Sequence, residues 1–356
     1  MSENKIGAKC CGLRGNILPH ANGQKFSTCS PRPGNMTFFG NYVGLDTNLR
    51  NCYIALMKTT KPSMTLSQMM VRFSTEEKCK TFLRDLRWPN GVQCPRCNSE
   101  KVYTLKARPF HWVCKNKDCG GKNGYRFSVI TRTVFENTNY PLRTWFQVIY
   151  LMTQSKKGIS ALQIHRQIGS GDYRTAWYMC HRIRAAMQDK DFALLMGEVE
   201  VDETYIGGKD SNRHWDKKHH AKGGSDKLPV IGAISRKGNV VCQMIEEADK
   251  HTLAGFVQNT ISGSVSLLAT DEAAGYGGLR KAGFEHDTVN HRRQEYVRGN
   301  VHTQNIDNFW SLLKRGVIGT YHKVSKDYLP LYLAEFQYRH NNRDNPDIFT
   351  DVVAGC

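Results

Sequence analysis

Three aspartates and four cysteines are the residues here whose type and spacing could do chemistry. Asp202 lies in a β-branched run, Val199-Glu200-Val201-Asp202-Glu203-Thr204-Tyr205-Ile206, that reads as a strand. Asp271 closes a second apolar run, Val265 to Thr270, and Asp307 falls within a stretch of helical period beginning near Gln304. Two carboxylates on strands and one on a later helix can bring hard oxygen ligands to one patch, as a two-metal phosphoryl-transfer site requires, with ions ~3.5–4 Å apart. The cysteines form two short-spaced pairs, Cys94-Pro95-Arg96-Cys97 and Cys114 to Cys119, with sixteen residues between Cys97 and Cys114. Each pair can present two thiolates to one tetrahedral cation from a tight turn, and Val102–Leu105 and His111–Val113 between them read as hairpin strands. Four thiolates leave no open coordination position, so the reading is a structural zinc ribbon, with a redox dithiol pair as the competing one. Zinc binding there is folding free energy, so a chelator should unfold the module.

The chain that carries these groups is strongly basic, with 50 Lys and Arg against 32 Asp and Glu and a net charge of +18. Such a balance favours a polyanionic partner, and DNA is the expected one. No apolar run reaches the ~18 residues of a membrane span, and no secretory signal opens the chain. The scattered placement of the cysteines outside the ribbon argues against a disulfide framework and for a reducing compartment, hence a cytoplasmic, DNA-associated location.

Five segments are expected. Residues 1–63, rich in Gly, Asn, Pro and Ser, read as a disordered extension, and Met64, where regular sequence begins, is a candidate natural start. Residues 64–90 carry one amphipathic helix, Ser74 to Leu86, capped by Ser74. Residues 91–136 hold the ribbon, with Arg96, Lys101, Lys106, Arg108 and Lys115 as candidate DNA contacts. Residues 137–192 read as helical, with Ser160 capping one helix, Gly169-Ser170-Gly171 turning the chain, and a last helix running from Asp172 past Arg184. Helix, short turn and helix with a basic face is a helix-turn-helix-like pattern, with Arg174, Arg182 and Arg184 as DNA contacts; a linker bundle without DNA contact is the alternative. Residues 193–350 read as strands 198–206, 230–235 and 239–245, a helix 252–259, strand 264–270, a helix near 278–282, a strand near 287–291, and helices from 304 and over 329–341. That order is α/β and RNase H-like. The charged, Gly-rich connection 207–228, with His214, His219 and His220, reads as a mobile loop and not as a metal site. Glu203 is set aside because it faces the other side of its strand from Asp202. Glu295 is a weaker substitute third ligand, and Glu335 is expected to pair with Arg339 one helical turn away.

Together these motifs make the chain resemble the zinc-ribbon DDE insertion-sequence transposases, relatives of the Merlin elements. The ribbon followed by Phe127 to Phe135, the helical Gly158–Arg184 segment, Val201 to Lys209, and Val301 to Gly316 continuing to Asn341 carry the likeness. The resemblance implies catalytic, metal-holding roles for Asp202, Asp271 and Asp307 with Mg²⁺ or Mn²⁺, and structural zinc on Cys94, Cys97, Cys114 and Cys119. It implies cleavage at transposon ends, strand transfer into target DNA, and a homo-oligomer. Lys314, Arg315, His322, Lys323, Arg292 and Arg293 are the expected phosphate contacts, and His302 is a site-lining residue at most. The third acid of the family is normally Glu, so Asp307 leaves two other readings open: a catalytically impaired DNA-binding protein, or an RNase H-like nuclease that cuts without joining.

Overall fold

The computed structural model describes residues 64–188, 192–208, 227–271, 276–289 and 297–356. The expected extension 1–63, the histidines at 214, 219 and 220, and Arg292, Arg293 and Glu295 lie outside the described residues. Segment 64–90 folds as two helices instead of one. Helix α1 (Leu66–Arg72) starts in a capping box, the Thr65 hydroxyl accepting from the Gln68 backbone while the Gln68 side chain accepts from Thr65. Helix α2 (Glu76–Arg87) is capped by Thr75, one residue past the expected Ser74, with acids in its first turn and arginines in its last.

The ribbon is a three-stranded antiparallel sheet, β1 (Val102–Thr104), β2 (His111–Cys114) and β3 (Tyr125–Ser128), with a helical turn α3 (Lys117–Gly120) after β2. Helices α4 (Leu142–Gln154), α5 (Ala161–Ile168) and α6 (Tyr173–Ala186) follow. Ser160 and Asp172 cap α5 and α6, and Gly169 ends α5 in the left-handed conformation. One apolar core joins these parts: Cys94, Trp112 and Phe127 of the ribbon, Leu83 of α2, and Trp145, Phe146 and Ile149 of α4. The chain end completes that core through helix α10 (Ile348–Gly355), which sequence reading did not anticipate and which contributes Phe349, Val352 and Val353.

Between α6 and α10 lies a five-stranded mixed sheet of order β6-β5-β4-β7-β8. Its strands are β4 (Glu198–Ile206), β5 (Leu228–Ser235), β6 (Val240–Met244), β7 (Leu267–Asp271) and β8 (His286–Val289). The first three are antiparallel; β7 runs parallel to β4 and β8 parallel to β7. Helix α7 (Lys250–Thr260) covers one face, where Val199, Val201, Ile231 and Ala233 meet Leu253, Phe256 and Val257. Helices α8 (Gln304–Gly316) and α9 (Leu329–Asn341) cover the other, where Ile206, Val230 and Ile234 meet Ile306, Trp310, Leu333 and Phe336. The helix expected near 278–282 is a set of turns, bounded by Gly283 at φ 93°.

A buried ionic cluster ties α6 to α9. Glu335 is fully buried, accepts from Arg184 Nε at 2.6 Å and from Tyr321 at 3.0 Å, and pairs with Arg339 one turn along α9 as expected. Two guanidinium groups against one carboxylate hold it down to about 2, despite burial that acts in the opposite direction.

Candidate active site and zinc centre

The period of a strand sends alternate residues to opposite faces, so Glu200, Asp202 and Thr204 face α8 while Val199, Val201 and Glu203 face α7. In the parallel β4–β7 pair, Glu200 lies beside Ala269. Two residues further along both strands, Asp202 and Asp271 therefore share a face. Asp307 sits in the first turn of α8, the helix laid over that face, and Thr303 donates to its Oδ2 at 3.3 Å.

Trp310, one turn beyond Asp307, connects the helix to the strand. Its indole Nε1 donates to Asp202 Oδ2 at 3.0 Å. The ring lies against Gly232, the residue paired with Asp202 across the β4–β5 ladder. A Cβ at Gly232 would come within 2.6 Å of that ring, so only glycine leaves room for it. Neither Trp310 nor Gly232 was singled out from sequence; the pairing of a glycine mid-strand with a tryptophan three residues after an acid is the signal that was there to be read.

The carboxyl of Asp202 is pushed from 3.8 up to about 7, first by burial and then by the charges of Asp307, Glu203 and Asp271. Glu203, on the α7 face, is also raised by burial and by Asp271, with buried Tyr276 beside it acting to lower it. A cleft of about 590 Å³ opens over the site, lined by Asp202, Asp307, Trp310, Lys314 and Arg315 among others. A larger groove of about 850 Å³ lies between β6, α7 and α9, but no carboxylate lines it. Among the described residues, the three aspartates do not form a cluster within 4.8 Å of one another; only the four ribbon cysteines do. A two-ion site spreads its ligands over two centres and does not demand that closeness.

The basic residues divide. Lys314 and Arg315 line the acid cleft, and His322 and Lys323 are exposed beyond the π-helical turn Val317–Tyr321 that extends α8. Arg174 is exposed at the start of α6. Arg184 is not a surface contact: it is 1% exposed and held by Glu335, so the expected basic face of α6 is wrong at that position. Arg182 is half-buried, donating to the Glu136 carbonyl at 2.9 Å and lying over the Trp145 ring, which commits it to packing.

In the ribbon, Sγ of Cys94 and Cys119 are 3.7 Å apart, as are those of Cys97 and Cys114. A tetrahedron with bonds of about 2.3 Å has edges of about 3.8 Å, so the four sulfurs fit one zinc ion. The Asn116 side-chain amide points at Cys97 Sγ from 3.8 Å, an outer contact of the kind that orients a ligand.

Residues 74–122 match the transposase zinc-ribbon domain and residues 194–341 match the ISXO2-like transposase domain. The chain is also 30% identical over 285 residues to an uncharacterized protein in the transposable element ISH50 of Halobacterium salinarum, an alignment that covers 75% of this chain and 91% of that protein. The chain belongs to the ISXO2-like transposase family. Membership makes the mixed sheet an RNase H-like DDE transposase domain and implies DNA as partner and phosphoryl transfer as chemistry. All three aspartates of this transposase fall inside the matched catalytic domain, and all four cysteines inside the matched ribbon. No helix among the described residues is long and apolar enough to cross a membrane.

Proposed function

We propose that this transposase cleaves DNA at the ends of its own element and joins the freed ends to target DNA, with Asp202, Asp271 and Asp307 as the catalytic carboxylates. The observation that carries the reading is the raised Asp202 carboxyl, set between the charges of Asp307 and Asp271 under a cleft edged by Lys314 and Arg315. Aspartates close enough for their charges to raise the Asp202 carboxyl make a hard-oxygen donor set of the kind that divalent ions fit. Magnesium or manganese, bound there, would polarise the scissile phosphate and ionise the attacking group.

The residues of the chain then have separate tasks. Trp310 holds Oδ2 of Asp202, which orients the carboxylate. Lys314 and Arg315 neutralise phosphate oxygens as the strand enters the cleft. Attack by water would cut the strand and free a 3′-hydroxyl; attack by that hydroxyl on a target phosphodiester would join the two. Arg174, His322 and Lys323 are further phosphate contacts on this reading, while zinc on the ribbon has a structural role only. A homo-oligomer and a relation to the Merlin elements belong to the same proposal.

The test is metal-dependent cleavage of DNA carrying the element's terminal repeats. Wild-type protein should cut and join such ends, and Asp202→Asn, Asp271→Asn and Asp307→Asn should each lose cutting while still binding DNA. Cleavage that survives any one of these changes refutes the assignment. The impaired reading rests on Asp307, which is exposed at the cleft edge and is one methylene shorter than the Glu that the resemblance leads one to expect there. Asp307→Glu separates the two: a large gain in cleavage indicates impairment, whereas an unchanged or lower rate argues for a site adapted to Asp.

A further inference from the structure

Glu200 is fully buried, two residues before Asp202 on the same face of β4. A carboxylate in a sheet interior is costly unless every lone pair is engaged, and here each oxygen is. Oε2 accepts from the backbone N–H of Asn305 at 2.8 Å and of Ile306 at 3.2 Å. Oε1 accepts from the Asn305 side-chain amide at 2.7 Å and from Arg236 Nε at 2.9 Å. His302 Nδ1 lies 3.2 Å from the same oxygen but off the line a hydrogen bond needs.

Asn305 and Ile306 are the second and third residues of α8, whose N–H groups have no partner within the helix. Thr303, which precedes the helix, gives no side-chain cap, and its hydroxyl goes to Asp307. Glu200 therefore caps α8 from a different element, with its negative charge at the positive end of the helix. Arg236 extends the tie, since its terminal nitrogens hold Glu198, the Asn300 side chain and the Asn300 carbonyl.

We propose that Glu200 is a positioning residue: it fixes the axial placement of α8 and, with it, the Asp307 carboxylate opposite Asp202. The helix is pinned to β4 on both sides of Asp307, upstream by Glu200 at residues 305 and 306 and downstream by Asp202 at Trp310. The spacings agree. Residues 200 and 202 are about 6.8 Å apart along a strand, and four to five helical residues rise about 6–7.5 Å. An Asp at 307 has less reach than Glu, so it depends more on where the helix is held. The inference rests on the catalytic reading of Asp202 and Asp307.

Glu200→Gln has the same shape, but all four of its neighbours are donors, so its amide must set donor against donor. In the full chain, hydrogen exchange at the Asn305–Asp307 amides should quicken while the ribbon stays protected. Mn²⁺ affinity read by electron paramagnetic resonance should fall on the order of tenfold. On terminal-repeat DNA, kcat should fall with KM unchanged. Asn305→Ala removes one of the four bonds and should shift exchange and Mn²⁺ affinity the same way by a smaller factor, so the idea stays testable if the Gln variant does not fold. A folded Glu200→Gln protein, or the Asn305→Ala protein in its place, with wild-type exchange at 305–307 or wild-type Mn²⁺ affinity overturns the inference. Wild-type protein that neither binds Mn²⁺ nor cuts, or Asp202→Asn protein that still cuts, overturns the proposed function instead and takes this inference with it.

Discussion

Replacing Asp202 by Asn should make the metal-free protein more stable at alkaline pH while removing its chemistry. Burial, followed by Asp307, Glu203 and Asp271, raises this carboxyl from 3.8 to about 7. The folded value lies above the unfolded one, so between them the native state holds a proton that the unfolded chain has released. Stability from this group is therefore full below about pH 4 and is lost as pH rises through 7. Three units correspond to about 4 kcal/mol; solvent at the cleft mouth reduces this to roughly 2–4 kcal/mol of strain in the ionised wild type. Asn removes the charge and keeps an oxygen for the Trp310 N–H. Melting both proteins with zinc bound and no magnesium or manganese added reads the effect, at roughly 2 °C per kcal/mol for a chain of this size. The variant should gain roughly 4–8 °C at pH 8.5 and little at pH 5. Added Mn²⁺ should then raise the wild type alone. An equal gain at both pH values, or a loss at pH 8.5, would refute the claim that crowded charge raises this group.

Three further outcomes follow from the same structure. Stripping zinc, or Cys97→Ser, should unfold the ribbon and loosen α2 and α4 with it, because Trp112 and Phe127 share their core; tryptophan fluorescence that ignores the chelator would contradict this. Glu335→Ala leaves Arg184 and Arg339 buried without a counter-charge and should cost about 3–5 kcal/mol in urea unfolding; a cost below about 1 kcal/mol would show that water reaches the cluster. His181 is lowered from 6.5 to about 4, by burial first and then by the charge of Arg184. Its folded value is depressed, so the stability it contributes is present above pH 6.5 and lost as pH falls toward 4. His181→Phe should therefore shrink the drop in melting temperature between pH 7.5 and pH 5, and an unchanged drop would place the acid sensitivity elsewhere.

Local signals were legible where they were dense. Strand 198–206 and helix 329–341 stand where the β-branched run and the apolar period placed them, and Ser160 caps the helix it was expected to cap. Where the deciding contact is distant, reading failed. Helix α10 has apolar residues at 348, 349, 352 and 353, yet Phe349 packs on Phe146 and Phe73, which lie 203 and 276 positions earlier. Arg184 looked like part of a basic face, but it lies four residues after buried Cys180 and next to buried Ile183, and its partner Glu335 is 151 positions away. Helical spacing alone could have moved it inward; nothing local could have named the carboxylate that makes such burial tolerable.

The acid site divides along the same line. Asp202, Asp271 and Asp307 announce themselves by type and by the motifs around them. The contacts that dock α8 on β4 do not: a glycine opposite Asp202 with no Cβ in the way of Trp310, and a buried glutamate that caps a helix a hundred positions later. A catalytic acid can be legible from one segment, because its chemistry is its own. Its geometry belongs to the contact between two segments, and here that contact is made by residues with no chemistry to advertise. On the proposed function, the part Asp307 plays is therefore best judged against the docking of α8 on β4: a short acid on a helix pinned at both sides of it can present its oxygens reproducibly, whereas the same acid on a loosely held helix could not.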